Sequence, residues 1–170
     1  MQINLAMKEL LRQLAAYNLW ANQKLTELVL SLPDEKQQAE VPSSFSSAFK
    51  TILHIWDAES IWWQRMRLQE YPSLPSVQFK GDIKDAVREL SQQDQLWLDW
   101  ISNASDAGLD HVFQYYTLKK EPFKQPVYQV AMHVFNHSSY HRGQLVNILR
   151  QLGIEKIPTT DMIIWSRTKK

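Results

Sequence analysis

Apolar side chains recur at steps of three and four along most of the chain, which is the period of a helix with one buried face. The first such stripe runs Ile3, Met7, Leu10, Leu14, Tyr17, Ala21, Leu25, Leu28 and Leu32, and Pro33 stops it. Residues 34–45 are polar and turn-rich. A serine cluster ending at Ser47 then supplies N-cap candidates for a second helix, whose stripe is Phe45, Phe49, Ile52, Trp56, Glu59, Trp63 and Met66. Ile55, Ile61 and Trp62 flank that stripe, so this helix is expected to meet more than one neighbour. After a loop at Tyr71–Ser76, Gly81 and Asp82 open a third helix, with Asp82 as its N-cap and Ile83, Ala86, Leu90, Trp97, Trp100 and Ile101 facing inward. The period lapses over residues 103–125, where Val112–Thr117 followed by Lys119, Lys120 and Pro122 reads as a small hairpin or an extended excursion. A fourth helix follows from Pro126, a favourable first-turn proline, to Leu152, with Gly153 as its C-cap. A short terminal helix near Asp161–Trp165 is expected to fold back.

These elements predict an all-α fold: a four-helix bundle with a short irregular or hairpin excursion between its third and fourth helices. The 170 residues suit one domain spanning 1–170. Composition narrows the functional classes. Apolar residues are 44% and charged residues 22%, with a net charge of +1 and the two signs interleaved, so the footprint of a nucleic-acid binder is missing. With no cysteine there is no disulfide and no thiolate ligand, and thiol chemistry would need a thiol brought by a cosubstrate. The first twenty residues lack a signal-peptide core, and no apolar run is long enough to span a bilayer, so a cytoplasmic location with no membrane partner is expected.

The fourth helix carries the candidate chemistry. Its seam reads Val127, Val130, Val134, His137, His141, Leu145, Ile148 and Leu152. Two imidazoles occupy positions the period assigns to the core, where an unpaired polar group costs about 1–3 kcal/mol. At four residues apart their nitrogens can converge on one ion. His133 extends the ladder upstream, but His133 and His141 are about 12 Å apart in helix rise, so only an adjacent pair shares an ion. Spacing alone leaves 133/137 and 137/141 open. The third ligand must come from another helix: His54 lies midway along the second, whereas His111 sits in the irregular stretch and is the poorer candidate. Three imidazoles would leave one coordination position open, the pattern of catalytic zinc sites. Nitrogen ligands also suit Ni, Co, Fe and Cu. No histidine follows a glutamate at Glu-x-x-His spacing and there is no HExxH, which excludes the di-iron carboxylate and zincin patterns. The competing reading is structural, with each histidine hydrogen-bonded in the core.

The run His133-Val-Phe-Asn-His137-Ser-Ser-Tyr-His141-Arg-Gly-Gln resembles the fourth-helix signature of the DinB-like metal-dependent bundle superfamily. Tyr17-Asn-Leu-Trp-Ala-Asn22, Ser44-Phe45 followed by Thr51-Ile-Leu-His54-Ile, and Asp161 beyond Gly153 and Pro158 extend the resemblance over almost the whole chain. It implies one divalent metal per chain, zinc or nickel foremost, held by His54, His137 and His141, and it implies a homodimer. His133 then becomes a supporting residue. Tyr17, Asn18 and Gln144 are pocket candidates, and Glu59 would support a histidine or pair with Arg142. Gly143 reads as a point of close helix approach. Relatives with known activity are metal-dependent thiol-handling enzymes, so the resemblance implies a metal-dependent S-transferase joining a low-molecular-weight thiol to an electrophile, with no residue assigned as catalytic. The alternatives are a noncatalytic metal- or small-ligand-binding stress-response bundle, and a purely structural bundle.

Overall fold

A computed structural model describes residues 2–117 and 119–168, with side chains from Met7 onward; the Ile3 side chain, Lys169 and Lys170 lie outside the described residues. Helix α1 spans Gln2–Leu30, α2 Asp34–Gln38, α3 Ala48–Met66, α4 Ile83–Asn103, α5 Asp106–Asp110, α6 Val127–Gln151 and α7 Met162–Arg167. Strands β1 (Val112–Tyr116) and β2 (Pro122–Pro126) pair antiparallel, with Tyr115 opposite Phe123. The four long helices α1, α3, α4 and α6 form the bundle; the hairpin is the excursion expected before the last of them, and α5 is an additional short turn of helix.

The local signals act as sequence chemistry dictates. Ser47 Oγ accepts from Lys50 N and caps α3, while Asp82 and Asp85 exchange hydrogen bonds in a capping box at α4. Pro126 sits at the N-cap of α6, one position earlier than a first-turn proline. Gly153, at φ +77°, takes the left-handed turn beyond Leu152, a conformation that favours glycine. Trp165 of α7 is buried edge-on against Tyr17, which ties the terminal helix back to α1.

Helix directions follow from who meets whom. Leu11 and Ala15 share an apolar cluster with Trp97, Ile101, Val130 and Val134, whereas Leu25 and Val29 share another with Ala86, Leu90, Leu145 and Ile148. Helix α1 therefore runs parallel to α6 and antiparallel to α4. Contacts of His54 with His141, Glu59 with Ser138 and Trp62 with His133 set α3 antiparallel to α6. Since α3 and α4 then point the same way, residues 67–82 must return along the whole bundle. They do so as a strap on α3: Ser73 bonds Gln64, Ser76 bonds Asp57, and Phe79 packs edge-on against Trp56 at 5.4 Å.

Two stripes differ from the sequence expectation. In α1, Leu10 is 61% exposed and Leu11 only 2%. The true inner face runs Leu11, Ala15, Asn18, Asn22, Leu25 and Val29; a stripe drawn through apolar residues alone skips the two asparagines and drifts off it. Phe45 precedes α3 instead of belonging to its stripe. Gly143 is exposed, and a β-carbon there would meet nothing within 4 Å, so it marks no close helix approach.

Candidate metal centre

The two apolar clusters are separated at mid-height by a polar layer to which every bundle helix contributes. On one side of it, α3 presents His54 and α6 presents His137 and His141. His54 Nε2 lies 3.1 Å from His141 Nε2, and His141 Nε2 lies 3.1 Å from His137 Nε2. The three ring nitrogens fall within 4.8 Å of one another, close enough to share one ion. His54 and His137 are half-buried and His141 is buried. Phe45 stacks on His54 with ring centroids 3.9 Å apart and meets His141 edge-on at 5.5 Å, covering the cluster from the loop before α3.

The donor set suits a cation. His141 Nδ1 lies 2.8 Å from Gln144 Oε1, which can only accept, so the Nδ1 proton is fixed there and Nε2 carries a lone pair. That lone pair can take a hydrogen from one imidazole neighbour but not from both; one cation satisfies all three nitrogens. Gln144 is itself held by donating to Ser44 Oγ at 3.3 Å. Burial pushes His54 and His137 down from 6.5 to about 4, reinforced by the neighbouring imidazoles, and burial lowers His141 as well. Near pH 7 the cluster is therefore neutral, the protonation state a metal ligand needs. His137 Nδ1 is buried without a hydrogen-bond partner among the described residues.

The other half of the layer is a closed network. Asn18 Nδ2 donates to Glu59 Oε1 at 2.9 Å and to Asp94 Oδ1 at 2.7 Å, and Asn22 Nδ2 donates to both Asp94 oxygens at 3.0 Å. Ser138 Oγ donates to Glu59 Oε1 at 2.7 Å. Arg142 Nη1 donates to Asn18 Oδ1 at 2.6 Å and Asn22 Oδ1 at 2.9 Å, and its guanidinium lies over the Tyr17 ring. Burial raises both carboxyls, Asp94 the more because the Glu59 charge adds to it. Asp94 is thus the carboxyl pushed further toward its protonated form, while Glu59 Oε2 is buried with no hydrogen-bond partner among the described residues. The raised carboxyls reduce the negative charge of the layer, and what remains of it favours the charged form of Arg142.

The structure brings His54, His137, His141 and Gln144 together. It places Tyr17, Asn18 and Glu59 elsewhere: the Tyr17 hydroxyl donates to Thr160 O at 2.6 Å, and Glu59 bonds Asn18 and Ser138 with neither a histidine contact nor a direct Arg142 ion pair. His133 is exposed, 5.8 Å from His137 between ring centroids and edge-on to Trp62 at 5.2 Å. It lines a cavity of about 350 Å³ with Trp62, Tyr115 and Gln129. Sequence reasoning missed Phe45, Asn22 and Asp94. Asp94 had a signal, because it falls on the seam between Leu90 and Trp97, where a carboxylate needs an explanation.

Comparison with known proteins agrees with this architecture. The model of the DinB family matches residues 2–168. Protein DinB of Bacillus subtilis (strain 168) is 25% identical over 152 residues, which cover 86% of this chain and 88% of that protein. Two crystal structures share the fold. A DinB-like protein of Bacillus cereus ATCC 10987 superposes with TM-score 0.62 at 18% identity, over 82% of this chain and 89% of that one. A DinB-like protein of Bacillus subtilis does so with TM-score 0.64 at 14% identity, over 88% and 98%. Among the described residues no helix is long and apolar enough to cross a membrane.

Proposed function

The chain belongs to the DinB family, and from that premise we propose that it holds one divalent ion, zinc or nickel, through His54, His137 and His141 and uses it to transfer a low-molecular-weight thiol to an electrophile. The observation that carries the reading is the convergence of three neutral imidazole nitrogens within 4.8 Å, drawn from two facing helices. Three protein ligands of this kind leave room for a further one, the arrangement of catalytic rather than structural sites. When bound, the ion would favour the thiolate form of a coordinating thiol.

The protein's own residues supply the rest. Gln144 fixes the tautomer and rotation of His141. Phe45 walls the cluster from solvent, which keeps the histidines below their usual protonation range. The cavity at Trp62, Tyr115 and His133 offers space for the electrophile next to His137. The thiol gives its proton to solvent, its sulfur forms a bond to the electrophilic carbon, and the leaving group departs with its electron pair. No side chain of the protein competes as a thiol, because cysteine is absent. The working unit is a homodimer.

The test is turnover by metal-reconstituted protein with bacillithiol, mycothiol or glutathione and a chromogenic electrophile. At least one thiol is expected to react catalytically, and His54→Ala, His137→Ala and His141→Ala to abolish that turnover while remaining folded. Stoichiometric metal with no turnover from any thiol would leave a noncatalytic binder; turnover unchanged in the three folded variants would refute the site.

A further inference from the structure

Beyond the histidines, one charged group is buried and unpaired. Arg65 lies in the last turn of α3, only 9% exposed, yet its guanidinium makes no hydrogen bond and no ion pair among the described residues, and its Nε is fully buried without a partner. A buried Nε–H with no acceptor is costly, and burial does lower the Arg65 pKa. Its position does not serve the helix end: the Trp63, Gln64 and Arg65 carbonyls accept from the backbone N–H groups of Arg67, Gln69 and Leu68 respectively. Aromatic rings stand where acceptors would: the guanidinium carbon lies over the Trp62 ring, 4.7 Å from its centroid, and over the Tyr115 ring at 5.6 Å. Contact with ring faces satisfies no N–H, which leaves the terminal donors for a planar or tetrahedral oxyanion.

Arg65 lines a cavity of about 340 Å³ between the end of α3 and the β1–β2 hairpin, together with Gln69, Glu70, Gln114, Tyr115 and Thr117 among others. The volume is that of a small-molecule site. Glu70 belongs to the lining but is exposed and makes no ion pair with Arg65. Tyr115 also lines the neighbouring cavity that contains His133, and its hydroxyl is tied to Gln125 on the opposite strand, so one fixed ring walls both spaces. Arg65 stands near enough to His133 to lower its pKa. From Arg65 through Trp62 and His133 to His137 each ring contacts the next.

We propose that this cavity is an anion subsite in which Arg65 binds the carboxylate or phosphate of a small molecule. Its role as the recognition end of a molecule that reaches the histidines, which would make the substrate class acidic, rests on the proposed function above; the subsite itself does not. The test follows the Arg65 guanidinium resonances, identified by their loss in Arg65→Lys, while zinc-reconstituted protein is titrated with succinate and separately with inorganic phosphate at constant ionic strength. A saturable shift with either anion is expected, the tighter one naming the source; by calorimetry, which needs no arginine signal, Arg65→Gln should bind about ten- to a hundredfold more weakly than the parent. No saturable shift with either anion, or equal affinity in folded Arg65→Gln, overturns the proposal. If Arg65→Gln does not fold, the titration of the parent protein decides. His54→Ala separates the two readings: it should lose zinc and keep the anion. A parent that binds the anion but no metal refutes the metal reading alone, and one that binds metal without the anion refutes only the subsite.

Discussion

His141 is the most constrained residue of the centre, with one ring nitrogen committed to Gln144 and the other facing two imidazoles at 3.1 Å. Removing the Gln144 carbonyl frees the ring to rotate and to change tautomer. Gln144→Ala is therefore expected to weaken metal affinity by about 10–100-fold without unfolding the protein, the usual effect of losing a ligand's outer partner. Competitive titration with a chelating dye measures it, and an unchanged affinity would show that Gln144 does not orient the ligand. At this scale His137 and His141 were legible because a seam period exposed them as polar residues in apolar places. His54 stood out as the candidate on a facing helix, the choice of 137/141 over 133/137 came by resemblance, and the His54 and His137 Nε2 atoms each lie 3.1 Å from that of His141. Gln144 was legible as a pocket candidate, but its bond to His141 was not, since a side-chain bond three residues along has no periodic signature.

The polar layer is where α1, α3, α4 and α6 are keyed to one another. Arg142 donates to both asparagines of α1 and balances the charge that Glu59 and Asp94 share between α3 and α4. Arg142→Met would leave that charge unbalanced and two amide oxygens without donors, and should cost about 3–5 kcal/mol in urea unfolding. A loss under 1 kcal/mol would mean the layer is not a keyed network. The same layer explains what the hydrophobic pattern could not supply. Asn18 and Asn22 are 1% and 3% exposed, but a stripe defined by apolar residues passes them by and settles on Leu10 instead. The hairpin and the short α5 also escaped firm assignment, because strands of five residues with one buried position carry little alternation.

At the scale of the molecule, the pattern of helices was readable and their order was not. Nothing in the period of residues 67–82 says that they return along α3 rather than turn tightly; that follows from long-range contacts such as Ser76 with Asp57. Protonation couples the centre to global stability. An unfolded histidine binds its proton near 6.5, while His54 and His137 in the folded chain do so near 4. Between those values the unfolded state carries more protons, so stability present above pH 6.5 is lost as pH falls through 4. Asp94, raised well above the carboxylate range, acts with the opposite sign but equally in parent and variant. The metal-free parent should thus lose more melting temperature from pH 6.5 to 4 than His137→Gln does, and superimposable profiles would contradict the depressed histidines. The central claim is tested most directly by elemental analysis of tag-free protein after reconstitution and gel filtration. One zinc or nickel ion per chain is expected in the parent, and about a tenth of that or less in each folded alanine variant of the three histidines; a metal-free parent, or full metal in His54→Ala, would contradict a three-histidine metal centre.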